Sequence, residues 1–356
     1  MKTKIDVSFQ NLPSLDVSTN TALTVLGCSY NQLTSLDVSK NTALTELNCS
    51  KNHLPSLDVS TNTALTNLWC SNNHLPSLDV SGATALTLLY CSNNPLTSLD
   101  VSNNTVLTVL SCYSNQLPSL DVSKNTALTE LNCSKNHLPS LDVSTNTALT
   151  NLWCSKNHLP SLDVSTNTAL TELNCSNNPL TSLDVSANTA LTYLYCYNNQ
   201  LPSLDVSGAT ALAHLNCSSN HLTRLPKLPD SLRVLYCSNN PFEEPISQDI
   251  IKKFNLNESK LYTEERVKVF KSYEWQKSFL MKYPERYHDI HLWVLLRIKD
   301  EVYKTNLNKA EQIRAAKPVM GIMKIVDQLV AEYTTLLKEY TELLEEKEKS
   351  KQLNKY

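Results

Sequence analysis

LTELNCSKNHLPSLDVS occupies residues 44–60, and the same seventeen letters return unchanged at residues 128–144. The stretch belongs to a longer pattern, because cysteines recur every 21 residues from Cys28 to Cys217 and Cys237 follows after 20. An asparagine stands three residues after each of these cysteines. Self-similarity at a fixed period of this length predicts a repeat architecture in which neighbouring units stack.

The repeating unit has the consensus LTxLxCSxNxLxSLDVSxNTA. Leu23, Leu26 and Cys28 have the spacing of a short strand whose alternate residues point inward. The following SLDVS predicts a second extended stretch with Leu36 and Val38 inward, and NTAL predicts the return turn. Each unit buries its apolar residues only against a neighbour, so the pattern predicts one continuous solenoid.

This unit resembles the leucine-rich repeat, with cysteine where many members of that family have leucine. The resemblance covers about residues 12–242 in eleven tandem copies, and repeats of this kind are similar to those of bacterial and large-DNA-virus proteins. It implies a β-rich, right-handed superhelical solenoid with parallel strands and an asparagine ladder. We therefore predict a solenoid domain over residues 1–242, followed by an all-α domain over residues 243–356.

Charge disfavours a nucleic-acid partner, and the N-terminal segment and the cysteines favour a location inside the cell. Residues 1–240 hold 10 Lys and Arg against 15 Asp and Glu, and residues 241–356 hold 21 against 19, so neither part is basic enough to predict nucleic-acid binding. The N-terminal MKTKIDVSFQNL has no apolar run typical of a signal peptide, and no membrane span is expected. The eleven cysteines are an odd number without a disulfide-framework spacing, which favours a reducing, cytoplasmic location.

The repeated polar residues are predicted to be structural. Each asparagine amide can satisfy unpaired backbone groups in the turn. Cys49 is expected inside the core and His53 outside, so neither a metal site nor a disulfide is expected there. Asp37, Ser39 and Asn41 are expected to bond to nearby backbone N–H groups and cap the turn. A calcium site at DVSxN lacks the glycine and distal glutamate of a calcium loop, and an ice-binding face is disfavoured by its charged column.

Function is predicted to lie where the repeat varies, at the outward positions of the strands. Exposed Trp and Tyr bury much area with little loss of rotamer freedom, which is typical of protein-binding surfaces. The predicted partner-binding residues are Trp69, Tyr90, Tyr113, Trp153, Tyr193, Tyr195, Tyr197 and Tyr236, with Glu46, Glu130 and Glu172.

Within that set, the cluster Tyr193, Tyr195 and Tyr197 has no counterpart elsewhere in the chain and is the preferred hot spot. Residues 33–80 and 117–164 differ at only two positions, so Trp69 and Trp153 are copies made by one duplication. A mainly structural or spacing role for the repeats therefore remains the alternative.

The C-terminal part departs from the repeat. LTRLPKLPDSLRVLYCSNNPF, from residue 222, resembles the 20-residue repeat of bacterial effectors that join leucine-rich repeats to a ubiquitin-ligase domain, but the cysteine such ligases need downstream is missing. Helices are predicted over 263–283, over 285–304 and after Pro318. The apolar seam of residues 322–344 suits packing within a helical domain, with self-association or a partner helix as the alternative.

The sequence thus predicts a non-catalytic interaction module or scaffold that binds a protein on the strand face of the solenoid. No catalytic residue, cofactor, metal or nucleic-acid partner is predicted. Two alternatives remain: an enzyme or effector whose activity lies in the helical part, with the repeats selecting its substrate, and a structural component of an assembly such as a virion.

Overall fold

Each repeat contributes one three-residue strand to a single parallel sheet of twelve strands, ordered β1 to β12 as in the chain. The computed structural model describes residues 2–243, 246–256 and 261. The strands are β1 Lys4–Asp6, β2 Val25–Gly27, β3 Glu46–Asn48, β4 Asn67–Trp69, β5 Leu88–Tyr90, β6 Val109–Ser111, β7 Glu130–Asn132, β8 Asn151–Trp153, β9 Glu172–Asn174, β10 Tyr193–Tyr195, β11 His214–Asn216 and β12 Val234–Tyr236. The fold is a parallel β-solenoid, as the sequence predicts.

The sheet has one strand more than the eleven cysteine-bearing repeats predict, because β1 comes before the first of them. Ile5 pairs with Leu26 and so occupies the leucine column. Val7 follows in the place that Cys28 has in the next turn, and its N–H donates to the Gly27 carbonyl at 2.8 Å. A β-branched residue replaces the cysteine at the first turn, which agrees with a purely packing role for the thiol column.

The register keeps like residues in line along the solenoid. Leu47, for example, pairs with Leu26 on one side and Leu68 on the other, and all three are buried. The stacked leucines, cysteines and valines form one hydrophobic cluster that runs from Val17 to Leu261. Since burying a leucine side chain contributes about 1.5–3 kcal/mol, and each turn supplies several, stability depends on stacking.

The SLDVS segment has the predicted side-chain orientation. Leu36 and Val38 point inward and Asp37 outward, as expected, but the segment forms no regular strand. The Asp37 carboxylate accepts the N–H of Ser39 at 2.9 Å, so this N–H is not available to a neighbouring turn. Between these segments, the described residues contain one isolated bridge, which joins Asp184 to Asp205.

Two residues after each cysteine stands a residue with a left-handed backbone, a feature that the repeat pattern does not predict. In the central turns it is Lys51, Asn72 or Lys135, with φ of 55°, 57° and 57°. Non-glycine residues adopt this conformation at a cost of about 1–2 kcal/mol, which is smaller for asparagine. The cost recurs along the solenoid, so the hydrogen bonds of the turn must offset it.

Helix α1, Gln248–Lys253, follows the last strand. Ser247 caps it by accepting the Ile250 N–H, and Ile251 is buried. Ile246, Ile251 and Leu261 belong to the core cluster and so cover apolar residues at the C-terminal end of the repeats. The helices predicted from residue 263 onward and the seam of residues 322–344 lie outside the described residues. Of the residues described, no helix has the length and hydropathy to cross a membrane.

Candidate binding face

The asparagine after each cysteine holds the turn that follows the strand. Asn136 donates from Nδ2 to the carbonyls of Cys112 and Cys133, both at 3.0 Å. Its Oδ1 accepts the N–H of Leu117 at 3.1 Å. The amide therefore acts as donor and acceptor at once, which confirms the predicted role. These bonds tie each turn to the one before it and fix the outer positions of the strands.

A second asparagine ladder corrects the prediction for the Asn41 column. Its predicted role is to bond neighbouring backbone N–H groups and cap the turn, yet Asn41 is fully buried and donates to the carbonyls of Val17 and Asn20 at 3.0 and 2.9 Å. Its Oδ1 has no hydrogen-bond partner. The column spans turns rather than capping one, because the NTAL turn folds inward beneath the sheet.

Threonines at the start of each strand form a third ladder. The Thr45 hydroxyl donates to the Thr24 carbonyl at 3.0 Å, and the Thr66 hydroxyl donates to the Thr45 carbonyl at 3.0 Å. These hydroxyls are therefore bonded to protein rather than presented to solvent. The three ladders together give the sheet a fixed geometry from turn to turn.

The cysteine column lies inside the protein, whereas the aspartate column lies on its surface. All eleven cysteines are free and buried, and burial raises the pKa of the Cys112 thiol to about 12. The exposed Asp142 accepts the Ser144 N–H at 2.9 Å, and this bond, with that of the Ser144 hydroxyl, lowers the pKa of the carboxyl. His53 is exposed, as predicted, whereas Cys49 is buried. Among the described residues, no three His, Cys, Asp or Glu side chains are grouped as a metal site would require.

We define the strand face as the first and third residues of β2 to β12, which flank the buried central leucine. Of the predicted binding residues on this face, Tyr193 and Tyr236 are exposed, at 39% and 57%. Those that are half-buried are Glu46, Trp69, Tyr90, Glu130, Trp153, Glu172 and Tyr195. Tyr113 and Tyr197 lie elsewhere, since each follows a cysteine and stands half-buried on the turn beyond the strand.

The structure brings part of the predicted set into one patch on β8, β9 and β10. The Trp153 indole N–H donates to Glu172 Oε1 at 2.8 Å. Glu172 pairs in register with Tyr193, and Tyr195 lies on the same strand as Tyr193. Burial, and then the negative charge of Glu172, raise the pKa of the Tyr195 hydroxyl. We call Trp153, Glu172, Tyr193 and Tyr195 the acidic aromatic patch.

His214 extends this patch and was not among the predicted residues. Its ring stacks on Tyr193 with centroids 4.6 Å apart and an interplanar angle of 21°. The signal for it was available in the sequence, because residue 214 occupies the same strand position as residue 193 in the following repeat. Histidine is often considered first as a metal ligand, whereas the His214 ring here packs against an aromatic side chain.

The other tryptophan lies in different surroundings, although its own repeat is a copy. Trp69 pairs with Tyr90, and Leu88 stands where Glu172 stands beside Trp153. No hydrogen bond from the Trp69 indole is present among the described residues. Two of the predicted residues, Trp69 and Tyr90, thus lie side by side on β4 and β5, apart from the acidic aromatic patch on β8 to β10. Burial, and then the negative charge of Glu130, raise the pKa of the Tyr90 hydroxyl.

Charges are segregated between the strands and the turns. From β3 to β12 the strand face carries the carboxylates Glu46, Glu130 and Glu172 and no Lys or Arg. Lys51, Lys135 and Lys156 stand on the turns beyond the strands, and Lys51 donates to the Tyr30 hydroxyl at 2.6 Å and lies 4.2 Å from its ring centroid. A nucleic acid needs cations interleaved with its stacking platform, which this distribution does not offer.

Comparisons with known proteins agree with this architecture. A family model described as leucine-rich repeats in two copies matches residues 168–208. The functional domain of InlJ from Listeria monocytogenes, which includes a cysteine ladder, is 41% identical with a TM-score of 0.63; the match covers 68% of this chain and 59% of that domain. YopM, a leucine-rich effector protein from Yersinia pestis, is 28% identical with a TM-score of 0.56, over 67% of this chain and 65% of YopM.

The internalin InlF of Listeria monocytogenes shares the fold at 24% identity and a TM-score of 0.62, over 67% of this chain and 74% of its own. The chain thus spans less than two thirds of the InlJ domain and of YopM. Comparison with curated protein sequences finds no match.

Proposed function

Because the chain is a leucine-rich-repeat protein whose 21-residue repeats carry a ladder of buried cysteines, we propose that its strand face binds a protein partner without catalysing a reaction. Leucine-rich-repeat domains similar to this one are typically protein-interaction modules. The site proposed here is the acidic aromatic patch, with Tyr197 and Tyr236 at its edges.

One observation carries the proposal: the patch combines large aromatic area with a rigid support. Tyr193, Tyr195 and Trp153 stand on strands that the asparagine and threonine ladders hold on both sides. Because these side chains are already held in place, few of them lose conformational freedom when a partner binds. Little binding free energy is therefore spent on ordering the solenoid. Aromatic residues of this kind dominate the energetics of many interfaces.

The proposal is tested by affinity capture with the full chain. The immobilised protein and its Tyr193→Ala, Tyr195→Ala and Tyr197→Ala triple variant are exposed to the same lysate, and captured proteins are compared by quantitative mass spectrometry. We expect at least one specific partner to fall by tenfold or more with the triple variant, since loss of one well-packed anchor costs about 2 kcal/mol.

The control is Tyr30→Ala, which removes a 44% exposed tyrosine that stands on a turn outside the strand face. Capture of a partner should be unchanged in this variant, and circular dichroism should report the same fold for all three proteins. Equal yields of every partner from the wild type and the triple variant would refute a binding role for the patch.

A further inference from the structure

Glu172 is a carboxylate with aromatic groups on several sides. Trp153 donates its indole N–H to Oε1 at 2.8 Å, Tyr193 pairs with Glu172 in register, and Tyr195 is close enough for the charge of Glu172 to raise its pKa. The other oxygen, Oε2, accepts no hydrogen bond from the described residues. One side of the carboxylate is therefore satisfied, and the other is open.

The negative charge of Glu172 is not balanced on its own face. The strand face has no Lys or Arg from β3 to β12, and Glu172 makes no salt bridge within the described residues. A protein partner that covers this half-buried carboxylate would remove its water, and an uncompensated buried charge is costly. The partner must therefore supply a cation at this point if it is to bind tightly.

The aromatic groups favour a flat cation. A guanidinium can stack on the faces of Trp and Tyr while its N–H groups bond to a carboxylate oxygen. An alkylammonium is a compact, strongly hydrated charge that matches this arrangement less well. The Tyr193 ring is already held by stacking on His214 at 4.6 Å, so one wall of the site is preorganised.

The duplicated repeat supplies an internal comparison. Trp69 is the copy of Trp153, but Leu88 replaces Glu172 beside it. Two tryptophans of the same origin thus differ in the carboxylate and in the strand beyond it, where Val109 and Ser111 take the places of Tyr193 and Tyr195. A cation should distinguish the two sites, because only one of them has both the negative charge and the two tyrosines.

We propose that the acidic aromatic patch is a binding site for the guanidinium group of an arginine on the protein partner. This inference rests on the proposed function, because it names the chemistry of the group that the partner presents. Glu172 supplies the charge and a hydrogen-bond acceptor, and Trp153, Tyr193 and Tyr195 supply the stacking surfaces. Trp69 and Leu88 form a site without this selectivity.

The test uses fluorine NMR of the full chain labelled with 5-fluorotryptophan. The chain has four tryptophans, each of which gives one fluorine signal. Trp69→Phe and Trp153→Phe assign the two signals of the solenoid. The protein is titrated with N-acetyl-arginine amide, and in parallel with N-acetyl-citrulline amide, which has the same shape and no charge. We expect saturable movement of the Trp153 signal with the arginine compound alone, and no movement of the Trp69 signal.

Two substitutions locate the effect. Glu172→Gln keeps the indole hydrogen bond but removes the charge, and we expect it to weaken arginine binding about fivefold or more, the scale of one well-placed cation contact. Glu46→Gln, on the same column but away from the patch, should leave binding unchanged. Leu88→Glu places a carboxylate beside Trp69, so the Trp69 signal should then respond to arginine, but more weakly than the Trp153 signal because Val109 and Ser111 replace Tyr193 and Tyr195.

Three results would overturn the proposal: equal response to citrulline and arginine, an affinity unchanged by Glu172→Gln, or equal movement of both tryptophan signals in the wild type. Failure here is distinguishable from failure of the proposed function. If the tyrosine triple variant loses a partner that Glu172→Gln still captures at full yield, the strand face binds protein but the guanidinium site is wrong.

Discussion

The two buried asparagine ladders should respond very differently to truncation. In Asn136→Ala, the carbonyls of Cys112 and Cys133 each keep a second donor, the amides of Asn115 and Asn157. The N–H of Leu117 keeps none, because Asn136 Oδ1 is its one acceptor in the described residues. The variant therefore leaves one buried donor unsatisfied, which costs about 1–3 kcal/mol.

Asn146→Ala removes just as much side chain from a position that is fully buried. Its Nδ2 donates to the carbonyls of Val122 and Asn125, but these also accept the N–H groups of Asn125 and Leu128. No donor is stranded, and the unpartnered Oδ1 disappears with the substitution. We expect a loss below about 1 kcal/mol, since each carbonyl loses only one of two bonds.

The chain itself contains this second substitution. Ala83 and Ala209 occupy the column of Asn146, and the carbonyl of Ala83 still accepts the amide of Asn104 at 2.9 Å. Equilibrium urea unfolding of the wild type and the two variants, followed by circular dichroism, measures the difference. A shift in midpoint with an unchanged slope reports stability. Equal losses in the two variants, or a larger loss for Asn146→Ala, would refute the hydrogen-bond accounting.

Three further results follow from the columns. In the native protein at neutral pH, the eleven buried thiols should not react with iodoacetamide, and uniform labelling would contradict their burial. In mild urea, labelling should begin at Cys28 or Cys237, because the terminal turns of the solenoid open first. Hydrogen bonds lower the pKa of Asp142 and of the other aspartates in its column in the folded state, so the ionised carboxylates stabilise the fold. This stabilisation is present above the unfolded pKa of about 4 and is lost as pH falls through the folded pKa. Urea unfolding from pH 7 to pH 3 measures the loss, and a free energy of unfolding that rises on acidification would contradict it. The melting temperature should be the same in calcium and in chelator, since the Asp37 carboxylate is bonded to Ser39, and a calcium-dependent rise would revive the calcium alternative.

The repeat unit was sufficient to predict most of the fold because its constraints are local and multiplied. A cysteine and two leucines at fixed spacing can all face inward only in a short strand, and the same solution recurs every 21 residues. The role of Asn136 followed from its position after the strand, where backbone groups need partners. Asn41 was misassigned because the sequence does not tell whether a polar residue in a turn folds toward solvent or beneath the sheet.

The burial of the thiols also changes what the cysteine count can indicate. An odd number of cysteines favours a reducing compartment when the thiols can meet an oxidant. Here burial raises the pKa of Cys217 well beyond that of a free thiol, so the reactive thiolate is scarce. The ladder is therefore compatible with either environment, and the cysteine count alone does not indicate a compartment.

The candidate site could be predicted only in outline, because its chemistry depends on pairs of residues in adjacent turns. In the sequence, Trp69 and Trp153 are equivalent, since the segments that contain them are nearly identical. Each tryptophan, however, contacts the next repeat, and the duplicated segment ends before that repeat begins. The indole of Trp153 donates to the carboxylate of Glu172 in the next repeat, whereas Trp69 has Leu88 at the corresponding place. Duplication in a solenoid therefore copies the interior faithfully, while the surface at the end of the copied segment acquires new neighbours.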